Sequence, residues 1–78
     1  MEPKRMNIYT ARFIMMEKTY EGERETDVTE ERTLGATDFK TAVDLAETLI
    51  PSLRRSRPEN FNFKVSDIVL LHAGVIIE

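Results

Sequence analysis

Only one stretch of this chain has helical periodicity, and its place among alternating segments restricts what the rest can form. Phe39, Ala42, Val43, Ala46, Leu49, Ile50 and Leu53 recur at the i, i+3, i+4, i+7 spacing of a buried stripe. Lys40, Thr41, Asp44, Glu47 and Thr48 fill the opposite arc. Thr37-Asp38 supplies an N-cap, because a short side-chain oxygen there accepts the free N–H groups of the first turn. Pro51 disfavours helical geometry at Ile50, so the regular helix is expected to stop or kink there. Ser52 to Arg57 can add one more turn, closed by Pro58.

On either side of this helix the periodicity is two. From Met6 to Met16, Tyr9, Ala11, Phe13 and Met15 fall on one face, and Ile8, Thr10, Arg12, Ile14 and Met16 on the other. Gly22 is the natural turn residue of the polar stretch that follows, since it takes positive φ at little cost. Thr26 to Ala36 reads as the returning arm of a hairpin, with Val28, Leu34 and Ala36 towards the core. Glu30 and Arg32 share that parity, which suits an edge strand that resists aggregation. After Pro58, the odd positions Phe61, Phe63, Val65, Val69, Leu71, Ala73, Val75 and Ile77 suggest one long strand. Gly74 within it suggests a bulge, or a bend into a short fourth strand.

A β-β-α-β order gives an α+β domain over residues 1–78, with a three-stranded antiparallel sheet in the order 2-1-3 and the helix on one face. The most apolar strand is then central and the most charged one an edge. One helix covers one face, so the other is expected to expose Ile14, Met16, Ile68, Leu70, His72 and Ile76 together. Such a cluster, or the free edge at Val75-Ile76-Ile77, suits pairing with a second copy as a homodimer. A register break at Ser66-Asp67 is the alternative, and it would turn some of these side chains inward.

Size makes the partner question pressing. A chain of 78 residues buries only roughly 60% of the surface its unfolded form exposes, so its margin is thin. Cysteine is absent, which removes disulfides as a support and leaves the compartment undetermined by redox argument. His72 is the single histidine and no EF-hand spacing is present, so no metal or other cofactor is expected. No apolar run approaches the roughly 18 residues that span a bilayer, and no signal-type stretch follows Met1. The expectation is a cytoplasmic chain without a membrane partner.

Chemistry finds little footing. His72 has no nucleophile or orienting carboxylate at a suggestive spacing, and Gly22, Gly35 and Gly74 form no phosphate-cradling loop. No catalytic residue is expected. Charge is informative instead. Residues 17–31 hold seven carboxylates against two cations, a net of −5. Glu21, Glu23, Glu25, Asp27, Glu30 and Glu31 form either a solvated edge or an acidic arm for a basic protein surface. The leading reading is a non-catalytic protein-binding module, an inhibitor or adaptor that occludes a larger partner, as phage-encoded inhibitors of host machinery do. The alternative is a small nucleic-acid-binding protein using Arg54, Arg55 and Arg57, against the plainer role of charges that complement a helix C-terminus.

Overall fold

The computed structural model describes residues 4–77; Met1, Glu2, Pro3 and Glu78 lie outside the described residues. The elements are β1 (Lys4–Thr19), β2 (Gly22–Ala36), α1 (Phe39–Arg54) and β3 (Phe61–Ile77). They form a three-stranded antiparallel sheet in the order β2-β1-β3, with α1 packed on one face. β3 is continuous through Gly74, with no fourth strand among the described residues.

Tyr20 and Glu21 form the turn of the β1–β2 hairpin. The Thr19 hydroxyl donates to the Gly22 carbonyl at 2.8 Å and accepts from the Glu21 amide, and Gly22 takes a φ of 122°. At the start of α1, the Asp38 carboxylate accepts from the Thr41 amide at 2.8 Å. This hydrogen bond to the charged form holds the Asp38 pKa below its ordinary value. The helix does not end at Ile50. It runs through Pro51 to Arg54, because the following turn seats Leu53 in the core, where it is 6% exposed.

Small side chains set the helix against the sheet. Ala42 and Ala46 on α1 are fully buried, as is Ala11 on β1, and Ala36 on β2 is nearly so. Around them Phe13, Met15, Leu34, Leu53 and Phe63 form the main cluster, while Tyr9, Ala36 and Ala42 form a second. Ile68 packs against both. Phe39, expected in the buried stripe, is instead 56% exposed, and its ring packs edge-to-face with that of Tyr9, the ring centres 6.2 Å apart.

The register of β1 with β3 explains why Ile68 points inward. Directly opposed residues of an antiparallel pair project to the same face. Phe13 opposes Val65 and Met15 opposes Phe63, but after a register shift Arg12 opposes Asp67, Ala11 opposes Ile68 and Tyr9 opposes Leu70. The extra residue, Ser66, moves the inward set from odd to even positions. Two more shifts follow, leaving Leu71 and the Ala73–Gly74 pair without direct partners. At the second of these, Gly74 has a φ of 64° and its amide donates to Asn7 Oδ1 at 3.0 Å. A bulge amide that the ladder cannot use is thereby satisfied.

Candidate interaction surfaces

Two strands flank the sheet with very different outer edges. On β2 the six acidic positions separate into two groups. Glu25 pairs with Lys64 at 3.1 Å, Glu31 with Arg12 at 3.2 Å, and Glu30 with Arg32 and Arg57 at 3.4 and 3.6 Å. These three brace the sheet from outside. Glu21, Glu23 and Asp27 are exposed and form no ion pair among the described residues. Two of them sit at the hairpin tip, beside Tyr20, whose side chain is fully exposed. Tyr20 escapes a sequence reading because a lone aromatic in a polar turn has no periodicity to mark it.

The face opposite α1 carries Ile8, Thr10, Arg12, Ile14 and Met16 from the central strand. It is divided rather than continuous. Arg12 reaches Glu31 on one neighbouring strand and Asp67 on the other, at 3.2 and 3.6 Å, so an ion-paired belt crosses all three strands. On one side of the belt Met16 is buried and Ile14 half-buried, with the Lys64–Glu25 pair spanning β1 nearby. On the other side Met6 and Ile8 lie over Gly35, whose missing Cβ leaves room for Met6 Sδ at 3.3 Å from where it would stand.

The structure therefore does not gather Ile14, Met16, Ile68, Leu70, His72 and Ile76 on one face. Ile14, Met16 and His72 lie opposite the helix, whereas Ile68 and Leu70 lie on the helix side. The register break is the reason. A different apolar group is open: Val69, Leu70, Leu71 and Ile76 are each between 41% and 52% exposed along β3. Ile68–Ile77 carries no acidic or basic side chain other than His72, and among the described residues its outer edge has no neighbouring strand. His72 is exposed opposite Ile8.

The three arginines after α1 also divide. Arg57 is committed to the fold: its guanidinium lies 5.9 Å from the centre of the Phe63 ring and pairs with Glu30. Arg54 and Arg55 are exposed and form no ion pair among the described residues. Phe61, half-buried, forms part of the wall of two hollows beside them.

Among the described residues no three His, Asp or Glu side chains converge as metal ligands, and no helix is long and apolar enough to cross a membrane. Comparison of the chain with protein-family models, with curated proteins and with solved structures gave no match.

Proposed function

We propose that this chain is a non-catalytic protein-binding module that presents its hairpin tip to a basic surface on a larger partner, as an inhibitor or adaptor would. One observation carries the reading: Tyr20 projects fully into solvent between strands that leave Glu21 and Glu23 unpaired. A tyrosine offers large contact area with few rotatable bonds and is enriched among residues that dominate binding energy. Unpaired carboxylates around it steer a cationic partner and reject an anionic one. The tip is also held in shape by the Thr19 hydroxyl, so little ordering is needed on contact.

Two copies associate in this proposal through the uncharged half of β3, where Leu70, Leu71 and Ile76 are open. Support comes from the contrast of the edges. β2 follows the usual practice of charging an exposed edge strand, and β3 from Ile68 onward does not.

Affinity capture from the source cell tests the first part. The wild-type chain should retain a basic protein at low salt and release it at high salt. A Tyr20→Ala/Glu21→Gln/Glu23→Gln variant, which touches no core residue, should retain little of it. Equal capture by both chains would remove the hairpin tip from the interface. For the second part, sedimentation at micromolar concentration should show twice the 9.0 kDa chain mass. Leu70→Glu or Ile76→Glu should shift it to one chain, and a monomeric wild type refutes the association.

A further inference from the structure

The loop after α1 is built as a rigid cradle, which complementing a helix dipole does not require. The Arg57 amide donates to the Arg54 carbonyl at 2.9 Å and the Phe61 amide to the Pro58 carbonyl at 3.1 Å, so two tight turns follow one another. The Lys18 amide donates to the Asn60 carbonyl at 2.7 Å, tying the loop to β1 just before the hairpin turn. Arg57 is clamped between Glu30 and the Phe63 ring. Pro51 and Pro58 stiffen the walls.

Two adjoining hollows of about 320 and 270 Å³ open on this cradle and share Arg54, Glu59 and Phe61. Arg55 borders the first and Lys18 the second. Counting Arg57 and Glu23, four cations and two carboxylates line them, so the cradle is positive within a chain of net charge −3. Arg54 and Arg55 have no anionic partner among the described residues to share their donors with. Guanidinium groups stay charged and match phosphate oxygens two at a time. A half-buried phenyl ring in the shared wall offers a surface on which a flat base can stack.

We propose that this cradle binds a phosphate-bearing ligand with a flat ring attached, a nucleotide or one unit of a single nucleic-acid strand. The phosphate lies against Arg54 and Arg55 and the ring against Phe61. The cradle's phosphate and ring contacts use Arg54, Arg55 and Phe61, none of which belongs to the hairpin contact, although Glu23 lies in the wall of the second hollow as well.

An amide NMR titration of the full chain tests it, with inorganic phosphate, a nucleoside triphosphate and a short single-stranded oligonucleotide as separate probes. Saturable shifts confined to residues 54–62 and Lys18 are expected with at least one ring-bearing probe. Arg54→Ala/Arg55→Ala, at exposed positions, should weaken that binding by about tenfold or more, the loss expected for one or two charge-assisted hydrogen bonds. Phe61→Leu keeps an apolar side chain and should weaken the ring-bearing probe several-fold while leaving inorganic phosphate unchanged. A longer oligonucleotide that binds more tightly, with steep salt dependence, identifies nucleic acid as the source; equal affinity identifies a free nucleotide. No saturable shift with any probe, or binding indifferent to the arginine pair, overturns the proposal.

Discussion

Ala11 on β1 and Ile68 on β3 oppose one another beneath α1, although Phe13 two residues along opposes Val65. One extra residue, Ser66, separates the two pairings and decides which side chains of β3 support the helix. Ile68→Ala is therefore expected to destabilise by about 2 kcal/mol, at the lower end for a side chain that is not completely enclosed. Leu70→Ala, half exposed on the same face, should cost less than about 1 kcal/mol. Urea denaturation of the two variants measures the order, and the reverse ranking would place the bulge elsewhere.

Ala46 is fully buried between the helix and the sheet, in the same cluster as Ala11 and Phe13. Ala46→Leu would push α1 outward and should destabilise by about 1–3 kcal/mol, despite leucine's good helix propensity. Ala46→Gly separates the causes, since it weakens the helix without crowding the sheet. Thermal unfolding followed by circular dichroism reads both.

Asp38 caps α1 only as a carboxylate, and its pKa is lowered chiefly by the Thr41 amide. A depressed folded-state pKa contributes stability above the unfolded value and loses it as pH falls through the folded value. The cap's contribution is thus intact at neutral pH and fades below the ordinary aspartate range. Asp38→Asn, which can still accept from the amide, should flatten the acid limb of the stability curve relative to wild type. Asp38→Ala should lower the denaturation midpoint at neutral pH, and an unchanged midpoint would remove the capping role.

Arg12 links three strands through exposed ion pairs, which individually contribute little to stability. Arg12→Ala should therefore shift the folding free energy by less than about 1 kcal/mol. Arg12→Leu is expected to do something different, extending the apolar surface of Ile14 and Met16 across the place of the belt on the face opposite α1. Added self-association of Arg12→Leu at high concentration, absent from Arg12→Ala, is the outcome to seek by light scattering.

Much of the architecture was legible because pattern and topology agree. The apolar Met6–Met16 segment is central, the charged Thr26–Ala36 arm is an edge, and the Ala42–Leu53 stripe faces the sheet. What the pattern concealed is local. In Ile68-Val69-Leu70-Leu71 every residue is apolar, so alternation cannot reveal which parity points inward, and only the extra Ser66 settles it. Pro51 reads as a stop or kink, yet the helix continues to Arg54, where burial of Leu53 outweighs the lost hydrogen bond. The acidic run reads as a uniform stretch, either a solvated edge or one arm, whereas pairing to Lys64, Arg12, Arg32 and Arg57 divides it into braces and free charges. Such partners come from other strands and leave no spacing in the sequence.

The unequal edges of the sheet bear on how far any assembly of this chain can grow. Strand addition at a neutral β3 edge joins like to like and closes on itself after two chains. It would leave the heavily charged β2 at both outer margins, an edge of the kind that resists further strand addition. Growth would stop there, and a fibre would have no surface from which to extend. The contrast between the two edges would thus keep the chain from becoming its own polymer.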